Sequence, residues 1–210
     1  NGGIIFPNPN APTGLFMPLD QVEEIVRANE DVIVIVDEAY IDFGAWSAME
    51  LTKKYDNLLV VQTFSKSRAM AGMRIGFAAG NPELIRALNN VKYSYNSYTM
   101  SLAAQELGAA ALRDRDYFEE TRKKIISTRE RAKKRLRELG FSFPDSMTNF
   151  IFAEHCRAEA RPMFQAMKEA GIYVRYFDKP GLDNRLRITI GTEEEMEQLY
   201  RFLERYLADR

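Results

Sequence analysis

Asp31-Val-Ile-Val-Ile-Val-Asp37 is the stretch that most limits the fold. Its unbroken β-branched run favours extended backbone and offers no polar face. Such a run reads as a strand buried on both faces, as in a parallel sheet. It ends in Asp37-Glu38-Ala39-Tyr40. A carboxylate at the carboxyl end of a central strand lies where open α/β sheets bind ligands. An Asp that merely caps the next segment is the alternative.

Two further strands flank this one in the chain. Gly3 to Pro7 runs into Asn8-Pro-Asn-Ala-Pro-Thr-Gly14, a loop made rigid by turn-forming residues. An ordinary strand-to-helix connection would also account for it. Leu19, Val22, Ile25 and Val26 then fall at helical spacing behind Pro18. Leu58 to Gln62 is the third apolar run, and it stops at Thr63-Phe-Ser65-Lys66-Ser67. The segment 45–55 between the second and third runs looks partly helical. A βαβαβ order with right-handed crossovers puts all three loops on one edge of a parallel sheet. Asn10, Asp37, Tyr40, Ser65, Lys66 and Arg74 can therefore converge. Ile75 to Ala79 reads as a fourth strand, at an edge or antiparallel.

The chemistry of that set is specific. Lys66 follows a buried strand directly, where an ammonium group is unusual without a partner or a task. A lone Lys there is more often simply solvated, so its neighbours decide. An amine forms a Schiff base with a carbonyl. A hydroxyl and a guanidinium hold a phosphate. Pyridoxal phosphate presents both an aldehyde and a phosphate.

The remainder is α/β as well. Pro82 to Leu88 is a helix capped by Asn81, and 91–99 carries Tyr93, Tyr95 and Tyr98, expected mainly in the core. Ser101 to Leu112 is helical. Phe118, Thr121, Ile125, Thr128, Ala132, Leu136 and Leu139 mark one face of a long helix over 116–139, ended by Gly140. Its interleaved acidic and basic residues read as a solvated face rather than a nucleic-acid stripe. Beyond Gly140 come short strands at 141–143, 150–153, 173–176 and 185–190, a helix at 162–170, and a final amphipathic helix through Met196, Leu199, Tyr200, Leu203 and Leu207. Two domains are expected, 1–139 and 140–210. His155 and Cys156 have no further ligand cluster and read as structural rather than metal-binding.

Composition narrows the classes. The chain has 210 residues, a formal net charge of -1 and one cysteine. The balance gives no support for nucleic-acid binding. Cys156 cannot form an internal disulfide, which fits a reducing, cytoplasmic setting. No apolar run approaches the roughly 20 residues needed to span a bilayer. The chain opens on Asn1-Gly-Gly without Met, which suggests a start inside a larger protein. Neither a Walker lysine loop nor the dinucleotide glycine fingerprint is present, which argues against a nucleotide-binding module.

Taken in order, Asn8 to Gly14, Asp37 to Tyr40, Thr63 to Lys66, Ala71-Gly-Met-Arg74-Ile-Gly76, Thr148-Asn149-Phe150 and Leu186-Arg187-Ile-Thr-Ile-Gly-Thr192 make a specific set. The sequence resembles the fold type I pyridoxal phosphate-dependent aminotransferases, most nearly the branch acting on histidinol phosphate. The resemblance covers the whole chain and corresponds to the later part of a family member. It implies a partial three-layer large domain with a mostly parallel sheet, plus a small C-terminal α/β domain. It implies pyridoxal 5′-phosphate as cofactor, and Lys66 as the residue that holds its aldehyde and later moves a proton. Asp37 would pair with the pyridine nitrogen, Tyr40 with the ring hydroxyl oxygen, and Ser65 and Arg74 with the phosphate. Arg187, helped by Arg175, would grip the anionic end of the substrate, with Asn149 in the same pocket.

The implied reaction passes an amino group between histidinol phosphate and 2-oxoglutarate in histidine biosynthesis, in a homodimer. An aromatic or other amino-acid aminotransferase and a threonine-phosphate decarboxylase share the same core, and both stay open. The family usually has Asn immediately before Pro-Thr-Gly, where this chain has Ala11; Asn10, a water or Tyr40 alone takes over that contact. The front part of family members supplies the loop around the cofactor phosphate, the ring stacked on the pyridine and residues reaching across the dimer. A fragment that binds no cofactor and is inactive as given is therefore the competing reading.

Overall fold

A computed structural model describes residues 2–208. The chain divides into two compact units, Asn1–Asn10 with Phe16–Glu120, and Ala11–Leu15 with Thr121–Arg210. The division falls inside the long helix, upstream of Gly140. Among the described residues no helix is long and apolar enough to cross a membrane.

The first unit holds β1 (Ile4–Pro7), α1 (Leu19–Arg27), β2 (Val34–Asp37), β3 (Leu58–Thr63), β4 (Gly76–Gly80), α2 (Pro82–Tyr95) and α3 (Leu102–Arg113). Its sheet has the order β1-β2-β3-β4. The first three strands are parallel, and β4 is an antiparallel edge strand beside β3. Parallel pairing requires crossovers. Helix α1 makes one, and the 3-10 turn Ala48–Lys53 lies in the other.

One face of this sheet is well covered. Val22 and Val26 of α1, Val34 and Val36 of β2, Ala48, and Leu58 and Val60 of β3 are all fully buried together. Each of the Val and Leu side chains contributes roughly 1.5–3 kcal/mol by leaving water. Asn57 locks the lower end of the layer: its amide lies within 3.0–3.2 Å of the carbonyls of Val26, Asn29 and Val32. The opposite face differs from expectation. Val32 to Val36 does not form a strand buried on both sides; the strand starts at Val34, and Ile33 is 44% exposed. Ile5, on the same face, is 72% exposed. A β-branched run encodes extended backbone, whereas burial depends on what packs above it.

The tyrosines at and beyond the end of α2 also depart from the sequence reading. Helix α2 runs on to Tyr95 and buries no residue, and Tyr95 and Tyr98 are more than 90% exposed rather than core. Asn81 caps α2 by accepting from the Glu83 N–H at 2.8 Å, and Ser101 caps α3 by accepting from the Ala104 N–H at 3.1 Å.

Helix α4 (Arg115–Glu138) leads into the second unit, which contains β5 (Phe141–Ser142), β6 (Phe150–His155), α5 (Ala160–Glu169), β7 (Arg175–Tyr176), β8 (Leu186–Thr189) and α6 (Glu193–Ala208). The sheet is antiparallel, in the order β5-β6-β8-β7. Leu136, Ile151, Met163, Met167, Ile188 and Leu203 anchor its core. The charged face of α4 is not wholly solvated. Arg129 and Lys133 are buried beneath the loop 144–149. Arg129 donates to the Thr148 carbonyl at 2.9 Å, and Lys133 lies 2.7 Å from Asp145 and 2.9 Å from Glu130. Burial is tolerated because each cation reaches oxygen.

Candidate active site

The parallel register decides what meets at the sheet edge. Pro7 is paired with Asp37, and Asp37 with Val61, so the carboxyl ends of β1, β2 and β3 share one edge. β4 runs antiparallel, so it begins at that same edge, next to Thr63. The loops carrying Asn10, Asp37, Tyr40, Ser65, Lys66 and Arg74 all leave from it.

Each loop is held by its own hydrogen bonds. Buried Asn8 donates its backbone N–H to the Asp37 carbonyl at 2.9 Å. Its side chain bonds Met17 in both directions, at 2.8 and 3.0 Å, and so closes the first loop. Asn10 is half-buried within that loop. Asp37 is exposed, and its Oδ1 accepts from the Ala39 N–H at 3.0 Å. The exposed amine of Lys66 lies 5.4 Å from the centroid of the half-buried Tyr40 ring, within cation–π reach. Ser65 accepts from the Thr63 hydroxyl at 2.9 Å, and the Ser65 N–H donates back to Thr63 at 3.1 Å. Arg74 is exposed, donates to the Ala71 carbonyl at 2.8 Å, and has φ +56°. Ala69 has φ +53° in the same loop. Two non-glycine residues in the left-handed region cost of order 1–3 kcal/mol each, and such strain clusters at functional sites.

The alternation of β2 separates Asp37 from its neighbour. Val34 and Val36 point into the covered face, so Glu38 continues that side. Glu38 is only 1% exposed. It accepts from the Ala48 N–H at 2.6 Å, the Ser47 hydroxyl at 2.5 Å and the Gln62 amide at 2.8 Å. Burial pushes its carboxyl above the usual range, and those three donors pull it back only in part.

The second unit holds the remaining candidates. Arg187 on β8 and Arg175 on β7 are register partners on adjacent strands. The Arg187 guanidinium lies 5.0 Å from the Phe150 ring centroid and 5.7 Å from that of Phe177. Arg175 lies 5.4 Å from the Phe177 ring. The Arg187 Nε is buried and has no hydrogen-bond partner among the described residues. A fork with an idle buried donor suits an incoming anion. Asn149 is half-buried, and its carbonyl accepts from the Ile190 N–H at 2.9 Å.

Residues 1–203 match the family described as aminotransferase class I and II. The chain belongs to this family. Among the aminotransferases it resembles is the histidinol-phosphate aminotransferase of Brachyspira hyodysenteriae, 55% identical over 94% of this chain and 56% of the relative. The enzyme of the same name from Lactococcus lactis subsp. cremoris is 49% identical over all of this chain and 59% of its own length. The crystal structure of histidinol-phosphate aminotransferase from Sinorhizobium meliloti, in complex with pyridoxal-5′-phosphate, matches with a TM-score of 0.84 and 28% identity, covering 98% of this chain and 57% of that one. The chain thus spans little more than half the length of these aminotransferases.

The candidates read from the sequence lie at the sheet edge and on β7 and β8; the buried or half-buried residues behind that edge were not among them. Glu38, Gln62, Asp42 and Ser67 were not singled out. The signal for Glu38 was present: it shares the parity of Val34 and Val36, and a carboxylate on a buried face requires donors. Asp42 and Ser67 sit in loops, where no periodicity points to a partner.

Proposed function

We propose that this aminotransferase chain belongs to a pyridoxal 5′-phosphate enzyme that moves an amino group between histidinol phosphate and 2-oxoglutarate in histidine biosynthesis. The observation that carries the reading is the sheet edge: an amine, a phenol, a carboxylate, a hydroxyl and a guanidinium leave from one side of three parallel strands, with Lys66 beside Tyr40. That donor set fits the cofactor. Its aldehyde needs an amine, its ring nitrogen a carboxylate, its ring oxygen a hydrogen-bond donor, and its phosphate a hydroxyl and a cation.

When bound, pyridoxal phosphate supplies an electron-withdrawing ring that stabilises negative charge on the substrate carbon. Lys66 would hold the cofactor's aldehyde carbon, and its amine would carry the proton at the substrate carbon. Asp37 would pair with the ring nitrogen, Tyr40 and Asn10 with the ring oxygen, and Ser65 and Arg74 with the phosphate. Arg187 and Arg175 bind the substrate's phosphate or carboxylate, with Asn149 orienting it. We place the enzyme in the cytoplasm as a homodimer acting on small molecules, without nucleic-acid or membrane partners.

The test has two parts. Pyridoxal phosphate added to the chain should raise a visible absorbance band that Lys66→Ala abolishes; a chain that gives no band is a fragment without cofactor. An amine-donor panel on the protein at full length should favour histidinol phosphate. Preference for an aromatic amino acid, or release of carbon dioxide from threonine phosphate, would move the assignment to those relatives.

A further inference from the structure

The loops that carry Tyr40 and Lys66 are joined by a bond between residues with no assigned role. Ser67, directly after Lys66, is buried. Its hydroxyl donates to Asp42 Oδ2 at 2.5 Å. Asp42 lies two residues after Tyr40, in the 3-10 turn Ile41–Phe43. Ile41 and Phe43 are themselves buried, which seats that turn.

Both ends of this tie are fixed to the fold. On one side, the Ile41 N–H donates to the Glu38 carbonyl at 3.1 Å, and Glu38 is anchored by Ser47, Ala48 and Gln62. On the other, the Ala69 N–H donates to the Lys66 carbonyl at 3.1 Å, and the Met70 N–H to the Phe64 carbonyl at 3.0 Å. A Lys side chain is long and flexible, so its own rotamers define the place of the amine poorly. Where its backbone starts, relative to Tyr40, then decides how often amine and ring meet. A short hydroxyl–carboxylate bond beside Lys66 sets that starting point.

We propose that Ser67 and Asp42 form a positioning pair, which holds the Lys66 amine against the Tyr40 ring and so governs how readily that amine takes up the aldehyde of pyridoxal phosphate. The inference rests on the reading of Lys66 and Tyr40 proposed above. Neither residue is catalytic; both act through Lys66.

The experiment compares the chain with its Ser67→Ala, Asp42→Ala, Asp42→Asn and Ser67→Ala/Asp42→Ala variants, with Lys66→Ala as control. Pyridoxal phosphate is the probe. The readouts are the affinity and pH midpoint of the Lys66-dependent band, and amide hydrogen exchange over residues 64–70 without cofactor. Each alanine variant should bind about tenfold more weakly, the size expected for one lost charge-assisted hydrogen bond, and should shift the pH midpoint. The double variant should be no weaker than either single one, because both remove the same bond. Asp42→Asn should restore most of the affinity, since its carbonyl oxygen still accepts from Ser67. Asp42→Ala should also speed exchange over 64–70, although it lies in the other loop.

Additive losses in the double variant overturn the pair. So do unchanged affinity and midpoint in the alanine variants, while the reading of Lys66 stands. A wild-type chain with no Lys66-dependent band removes that reading. Exchange then decides the pair: faster exchange over 64–70 in Asp42→Ala supports it, and unchanged exchange overturns it.

Discussion

Asp37 and Glu38 are adjacent in sequence and face opposite sides of the same sheet. Asp37 is exposed at the edge where the carboxyl ends of β1, β2 and β3 meet. Glu38 is buried behind it and bonded to the segment that follows and to β3. The strand pleat alone produces this division. That sheet edge is thereby tied to the hydrophobic layer through the Glu38 carboxylate.

Glu38→Ala should destabilise the chain by about 2–4 kcal/mol, because it leaves the Ala48 N–H, the Ser47 hydroxyl and the Gln62 amide without their acceptor. Glu38→Gln keeps an oxygen for Ala48 and should cost about 1 kcal/mol near neutral pH. The two also differ in pH behaviour. The Glu38 carboxyl is raised in the folded state by burial, so the folded chain holds the proton at higher pH than the unfolded one. Glu38 therefore lends most stability below its unfolded value, and that contribution is lost as pH rises through the folded value. Urea denaturation across pH should show this slope in the wild type and not in Glu38→Gln.

His155 carries the opposite sign. Its Nδ1 accepts from the N–H groups of Arg157 and Ala158 at 3.2 and 2.9 Å, which leaves Nε2 to donate to the Leu139 carbonyl at 3.0 Å. That arrangement requires the neutral ring. Burial lowers its proton affinity below the ordinary histidine value, outweighing the bond to Leu139. The unfolded chain takes up the proton first as pH falls, so the His155 contribution to stability is full above about pH 6.5 and is lost below it. His155→Asn can offer its side-chain oxygen to the same two N–H groups. Its stability, followed by urea denaturation, should stay flat between pH 7 and the onset of carboxylate titration.

What the sequence could reveal follows from the range of the forces involved. The strands, the long helix and the turns between them were legible because periodicity and turn chemistry are local. Ile33 and the tyrosines near the end of α2 were misjudged for the same reason. An apolar side chain shows a preference for burial, and neighbours distant in sequence decide whether burial happens. Arg129 and Lys133 erred the other way, since only the fold brings Asp145 and the Thr148 carbonyl over α4. The cross-loop bond from Ser67 to Asp42 was invisible, since neither residue belongs to a periodic element.

Arg187→Lys should raise the KM for a phosphorylated amine donor by about tenfold or more in the full-length protein, with a smaller effect on kcat. Lys retains the charge but has neither the flat fork for an anion nor the surface that stacks between Phe150 and Phe177. Arg187→Met should be worse still. Steady-state kinetics on each variant checks the order. Equal KM values for wild type and Arg187→Lys would remove Arg187 from the substrate site.

Gly14→Ala tests a junction within the second unit. Gly14 has φ +77°, a conformation that costs an L-residue about 1 kcal/mol. An added Cβ would also lie 2.8 Å from the Ser146 Cβ and 3.2 Å from its Cα. The backbone there is held, because the Met147 N–H donates to the Gly14 carbonyl at 2.9 Å and Ser146 donates to the Phe150 carbonyl at 2.6 Å. Strain and clash together should cost about 2–4 kcal/mol in urea denaturation. Ser146→Gly in the same chain removes the contacts with the Ser146 Cβ and hydroxyl and leaves the strained φ, so it should recover about half of the loss relative to Ser146→Gly alone. Equal losses in both backgrounds would mean that the backbone angle, not contact with Ser146, requires glycine at this position.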